Sequence, residues 1–179
     1  MILSILILAF VTLQRLGELV LARRNTHRLL DRGGFEVGRA HYPYIVALHT
    51  AWLGGLWYLG WDEPANLAWL AVYVVLQVLR FWTLASLGDR WTTRIIVLPG
   101  EPLVRRGPYR WLPHPNYVVV AGEIAVLPLV FDQLQYAVVF SVLNAAVLWV
   151  RIRAESAALS AATRTRSEPP SGRSPARPG

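Results

Sequence analysis

Apolar residues gather into five long runs, Met1–Leu21, Tyr44–Trp61, Leu67–Leu87, Tyr117–Phe131 and Tyr136–Val150, separated by polar or turn-rich stretches. Most approach the ~20 residues that a helix rising ~1.5 Å per residue needs to cross ~30 Å of hydrocarbon. The pattern predicts an all-α membrane protein, a bundle of about five transmembrane helices. The first run has no basic segment ahead of it and no small-residue cleavage motif after Leu13, so it reads as a retained helix and not a signal peptide. The fourth is short and holds Glu123 and Pro128; it is expected to be tilted, kinked or partly covered by its neighbours.

Charge divides the connections into two kinds. Arg23, Arg24, Arg28, Arg32 and Arg39 lie between the first two runs, Arg90, Arg94, Arg105, Arg106 and Arg110 between the third and fourth, and Arg151, Arg153, Arg164, Arg166, Arg173 and Arg177 after the fifth. The turns 62–66 and 132–135 hold no arginine. The positive-inside rule then predicts a multi-pass protein of the cell membrane with its N-terminus outside and its C-terminus in the cytoplasm. Composition agrees: 54% of residues are hydrophobic and 16% charged, against about 25% charged in soluble domains. All 18 basic residues are arginine and set against 11 acids give +7; their placement points to membrane lipid and not to nucleic acid. Residues 1–162 read as one integral membrane domain, and residues 163–179, rich in Arg, Ser and Pro, as a disordered basic cytosolic tail.

Arg15, Glu18, His49, Arg80 and Glu123 fall within the runs, toward their cytosolic side. A charge in hydrocarbon costs at least about 2.5–3.5 kcal/mol, so these groups are expected to face one another or a polar site open to the cytosol. The alternatives are snorkelling of Arg15 and Arg80 to headgroups and a simple i,i+3 pair of Arg15 with Glu18. His49 reads as a satisfied interior histidine. There is no cysteine, which excludes disulfides and thiolate chemistry, and the histidines at 27, 41, 49 and 114 lack chelating spacing, so no metal site is expected. Without a phosphate loop, nucleophile elbow or catalytic triad either, the chemistry is expected to come from a bound cofactor.

The cytosolic segment Arg90–Tyr117 is the densest in unusual residues. Ile95–Leu98 is a short β-branched run, Leu103-Val104 an apolar pair, and Pro99-Gly100 and Gly107-Pro108 are turns. Pro115 suits the first turn of a helix whose N-cap falls at or near His114. Tyr109, Trp111 and Tyr117 surround this entry. Free N–H groups beside aromatic faces suit a zwitterion carrying a carboxylate and an organic cation; the alternative is an interfacial aromatic belt with turns.

Gly107-Pro108-Tyr109 followed by His114-Pro115-Asn116-Tyr117 resembles the signature of the isoprenylcysteine carboxyl methyltransferase family, and Arg151-Ile152-Arg153-Ala154-Glu155 is similar to the element on that family's last helix. The likeness is most specific from Arg90 to Glu155. Gln14–Leu19 and Arg39–Pro43 look like the small bacterial branch that accompanies type III polyketide synthases and O-methylates alkylpyrones. Two positions depart from the pattern: Pro113 stands in place of an arginine and Ser156 in place of a second glutamate. Arg110, or Arg105 with Arg106, are candidates to replace the missing charge.

The resemblance implies methyl transfer from S-adenosylmethionine to an oxygen of a lipophilic small-molecule acceptor, an alkylpyrone-like hydroxyl, with a functional link to a type III polyketide synthase. It implies that Gly107, Pro108, Tyr109, His114, Pro115, Tyr117 and Glu155 hold the cofactor, and that Arg151 and Glu155 form the catalytic pair, Arg151 orienting an anionic group. An acceptor that is already ionised asks for alignment more than for a strong base. Other readings are carboxyl methylation of a prenylcysteine, a nicotinamide-dependent membrane reductase, and a non-catalytic membrane adaptor. Without the upstream motif, Arg151 to Glu155 reads as an i,i+4 ion pair.

Overall fold

The computed structural model describes residues 1–102 and 104–167. Five helices dominate it: α1 (Ile2–Asp31), α2 (Tyr42–Gly60), α3 (Leu67–Leu87), α4 (Pro115–Val130) and α5 (Leu134–Ser167). Among the described residues, α1, α3 and α5 are long and apolar enough to cross a membrane. The remaining two fall short of that standard, α4 with 16 residues and α2 with 19 that include His49, three glycines and several aromatics. Both still join the bundle, α4 packing between α3 and α5, and α2 against α1 and α5. Large apolar side chains such as Phe10 on α1, Val78 on α3 and Val142 on α5 are left exposed. So many outward apolar residues suit lipid and not water, and the chain is an all-α membrane protein.

One end of the bundle is apolar inside. Ile7, Leu8 and Val11 of α1, Trp52 and Leu56 of α2, Tyr73 of α3, and Ile124, Leu127 and Val130 of α4 form its core with Phe131. Asn66 caps α3 by accepting from Ala68 N (3.1 Å), and its own N–H donates to Val130 O (2.8 Å), tying the two arginine-free turns together.

At the other end the helices overrun their apolar sequence. α1 continues ten residues past Leu21, because Ala22, Asn25 and Leu29 keep the buried stripe going at helical spacing. Asn25 Nδ2 donates to Trp91 O (2.8 Å) and Gly88 O (3.2 Å), anchoring the loop that follows α3. α5 likewise extends through Ser167, so the first residues of the expected tail are helical; the rest of that tail, and Leu103, lie outside the described residues. The Ile95–Leu98 run forms a strand, β2 (Ile95–Val97), paired antiparallel with β1 (Phe35–Val37) in the register Phe35↔Val97. With three residues, Phe35-Glu36-Val37, β1 is too short for its alternation to announce a strand. This two-stranded sheet packs on α5 and closes the arginine-rich end.

Candidate functional site

Two polar clusters emerge, one inside the bundle and one at its arginine-rich end. The inner cluster follows from the inverted faces of the helices. Along α3 the buried residues are Tyr73, Gln77, Arg80, Thr83 and Ser86, whereas Val74, Val75, Val78 and Phe81 point out. Glu123 of α4, fully buried, accepts from Arg80 Nη1 (2.7 Å), Arg15 Nη2 (2.8 Å) and Gln77 Nε2 (2.8 Å). Glu18 pairs with Arg80 and with Arg15 Nη1 (3.2 Å). Two arginines and two glutamates thus neutralise one another, and the charged residues of α1, α3 and α4 face each other as their cost in hydrocarbon requires. His49 binds Ile45 O through Nδ1 (2.8 Å), an interior histidine satisfied by its own helix.

The second cluster begins at Gly107. Its φ of +56° falls where side chains are strained, and a Cβ there would collide with Ser86 Oγ. That absence lets the 3₁₀ turn Gly107–Arg110 sit on the end of α3, with Pro108 buried and Arg106 Nε donating to Ser86 O (2.7 Å). Trp111 meets Trp82 edge to face at 6.0 Å. The turn then leads into α4, whose N-cap His114 makes no side-chain capping bond and whose N1 residue is Pro115. Pro115 has no N–H and Tyr117 N donates to His114 O (3.1 Å), which leaves the Asn116 N–H of the first turn open to an anion.

On the first turn of α4 the His114 and Tyr117 rings stack, 5.4 Å between centroids and 23° between planes. Arg151 Nε donates to the Tyr117 hydroxyl (2.8 Å), and that hydroxyl donates to Glu155. His114 Nδ1 stands 3.8 Å from Glu155 Oε2. A direct Arg151–Glu155 ion pair is not what forms; Tyr117 is interposed between them. Arg151 is buried, and among the described residues its two Nη groups make no hydrogen bond. Burial, with the nearby Glu155 carboxylate, pushes the Tyr109 hydroxyl above its ordinary range. Asn116 Oδ1 is buried without a partner.

Every residue named from the sequence motif therefore lies at one end of the bundle, and His114, Tyr117, Arg151 and Glu155 meet directly. Arg153 points away, exposed and stacked on Trp149 (4.8 Å). Two of the candidates to replace the charge absent at Pro113 are engaged elsewhere, Arg106 with Ser86 and Arg110 over the Trp111 ring at 5.8 Å. Sequence reasoning passed over Gln77, which completes the shell of Glu123; its spacing three residues before Arg80, on one helix face, is the signal.

Comparison with known proteins places these features. Residues 69–161 match the model of the isoprenylcysteine carboxyl methyltransferase (ICMT) family. The chain is 40% identical over 159 residues to the uncharacterized protein YpbQ of Bacillus subtilis, covering 86% of this chain and 95% of that protein. It is 25% identical over 154 residues to an uncharacterized protein of Haemophilus influenzae, covering 82% and 88%. No solved structure matches the chain.

Proposed function

The chain belongs to the isoprenylcysteine carboxyl methyltransferase family, and from that premise we propose that it transfers a methyl group from S-adenosylmethionine to an oxygen of a lipophilic acceptor, the hydroxyl of an alkylpyrone-like polyketide lipid. Family membership makes it a membrane methyltransferase; cofactor, atom and acceptor are the proposal. So are the topology, with the N-terminus outside and the arginine-rich end in the cytosol, and a functional link to a type III polyketide synthase as the source of acceptor.

The observation that carries the reading is the convergence of Arg151, Tyr117 and Glu155 on one hydroxyl beside an uncapped helix start. Those groups fit S-adenosylmethionine: the open Asn116 N–H for its carboxylate, the His114–Tyr117 face and Glu155 for its cationic and adenosine parts, and the orphaned Asn116 Oδ1 for a donor. When bound, that cofactor supplies a methyl group on positively charged sulfur. The Gly107-Pro108-Tyr109 turn covers the entry, and Pro115 fixes the first turn that presents Tyr117. The Nη groups of Arg151 orient the acceptor oxygen. Alignment of this kind corresponds to effective molarities of about 10⁵–10⁸ M. The acceptor's chain reaches the site sideways, from lipid.

Binding of S-adenosylhomocysteine to detergent-purified protein tests the reading. Saturable binding is expected, weakened about tenfold, or ~1.4 kcal/mol, by His114→Ala or Glu155→Ala. Absence of binding by well-folded wild type refutes it. A prenylcysteine carboxylate is the second reading, favoured by the same free Nη pair, which suits a carboxylate; competition by a prenylcysteine analogue separates the two.

A further inference from the structure

Arg151 and Glu155 stand one turn apart on α5, the spacing at which Cβ atoms lie about 5–6 Å from one another and opposite charges join. Arg151 is buried, and an ion pair gains strength as water is withdrawn. Among the described residues the two form no ion pair, because a side chain from α4 stands between them. The Tyr117 hydroxyl accepts from Arg151 Nε (2.8 Å) and donates to Glu155, and the guanidinium carbon lies 5.6 Å from the centroid of the same ring. Tyr117 is itself buried, and the stacked His114 ring covers it. Only Nε of Arg151 is spent in this arrangement. Its Nη groups keep their donors and the positive charge, and Glu123, the one acid on α4, is committed to Arg15 and Arg80.

We propose that Tyr117 is a positioning residue that insulates Arg151 from Glu155, so that the outer face of the guanidinium is kept for an oxyanion carried by a ligand. What that oxyanion belongs to rests on the methyl-transfer reading; the insulation is a property of the protein alone. A phenol suits the place for a chemical reason. With an ordinary pKa of about 10 it is neutral at physiological pH, and one hydroxyl both accepts from the arginine and donates to the glutamate. It therefore bonds both partners and cancels neither charge. A carboxylate at position 117 neutralises Arg151, and an aliphatic side chain leaves nothing to hold the pair apart. Phenylalanine keeps the ring and removes only the hydroxyl, and Arg151 then turns its fork onto Glu155, a planar match that engages the Nη donors and spends both charges.

The test reads the guanidinium directly. In detergent-purified protein without cofactor, a long-chain para-nitrophenol is followed by its phenolate absorption and compared with the same probe in protein-free micelles. An opposite charge within about 4–6 Å favours the ionised form by about 1–3 pH units, and wild type is expected to ionise the bound probe at least about one pH unit below the micelle value. Arg151→Gln is expected to abolish that shift and Tyr117→Phe to abolish most of it. Adding Glu155→Gln to Tyr117→Phe is expected to restore it, because an amide does not neutralise the guanidinium, and Glu155→Gln alone leaves it at least as large as in wild type. A hydroxyl that only braces the fold gives losses that add, so recovery on a second substitution is particular to insulation. The thermal midpoint of Tyr117→Phe is expected within a few degrees of wild type, since the direct pair replaces the lost hydrogen bonds. An unshifted probe in wild type, an undiminished shift in Tyr117→Phe, a double variant no better than Tyr117→Phe, or a Tyr117→Phe protein that unfolds overturns the proposal. S-adenosylhomocysteine binding is measured on the same samples. Wild type that shifts the probe and binds no S-adenosylhomocysteine upholds the insulation and sinks the methyl-transfer reading.

Discussion

Glu123→Gln removes one negative charge from the four-residue cluster without changing its volume. In the native bundle that carboxylate has no solvent exposure and takes hydrogen bonds from Arg80, Arg15 and Gln77 at 2.7–2.8 Å. With an amide there, Arg15 and Arg80 keep only Glu18, and one positive charge is left unbalanced beside lipid. Leaving one member of a buried pair unmatched costs about 3–5 kcal/mol. At ~2–4 °C per kcal/mol for a chain of this length, the thermal midpoint falls by about 6–20 °C. Arg80→Gln alone leaves a negative excess and does similar damage. Joined to Glu123→Gln it restores neutrality, so the double variant is expected to be more stable than either single one, which requires a coupling at least as large as the single cost of about 3–5 kcal/mol. Asp89→Asn is the control, because Asp89 and its partner Arg28 are largely exposed (75% and 46%), where a pair is worth about 0–1 kcal/mol. Tryptophan fluorescence during heating in detergent reads the wild type and all four variants. A Glu123→Gln midpoint within a few degrees of the Asp89→Asn control, or a double variant no better than the singles, refutes the reasoning.

At Gly107, alanine meets both a strained φ and the Ser86 hydroxyl; Gly107→Ala is expected to cost at least about 1 kcal/mol locally, seen as faster proteolysis after Arg106 and weaker S-adenosylhomocysteine binding, with the bundle's thermal midpoint nearly unchanged. Asn25→Ala withdraws the donor from Trp91 O and Gly88 O, costing about 1–3 kcal/mol, and hydrogen exchange of residues 88–97 is expected to rise before that of α3. Tyr109 titrates above the ordinary tyrosine value because burial, then Glu155, disfavours the phenolate. Below about pH 10 it is neutral folded or unfolded, and above that the unfolded chain loses its proton first, so its contribution to stability fades as pH rises. Tyr109→Phe is expected to flatten this alkaline loss while leaving stability at neutral pH in place; ultraviolet titration during denaturation checks it.

The bundle is legible in the sequence because apolar runs of helical length have few other uses. Its ends are not, since Ala22, Asn25 and Leu29 extend α1 by periodicity among arginines, where hydropathy stops reporting. β1 hides for a related reason: Phe35–Val37 gains its structure from Ile95–Val97, far along the chain. The motif residues His114, Tyr117, Arg151 and Glu155 were nameable one by one, but the order Arg151–Tyr117–Glu155 was not. Spacing on α5 alone favours a direct i,i+4 pair, and only the packing of α4 against α5 inserts the phenol.

The inverted helix faces connect the two clusters. Lipid rewards an apolar exterior and gives little hydrophobic reason to bury apolar faces, so α3 can spend its inner face on Gln77, Arg80, Thr83 and Ser86. Arg80 fixes α3 against α4 through Glu123, and Ser86, six residues and about 9 Å farther along the helix, receives Arg106 and faces Gly107. On α4, Glu123 stands the same six residues from Tyr117. The ion cluster therefore sets the register between the helix that seats the Gly107-Pro108-Tyr109 turn and the helix that presents Tyr117. A shift of even one residue, about 1.5 Å, separates Tyr109 from His114 and Tyr117 as the ligand meets them, enough to cost a reaction that depends on alignment about 10²-fold. On this argument Glu123→Gln impairs methyl transfer from a distance, and the double variant with Arg80→Gln recovers stability more fully than rate, because neutrality returns and register does not.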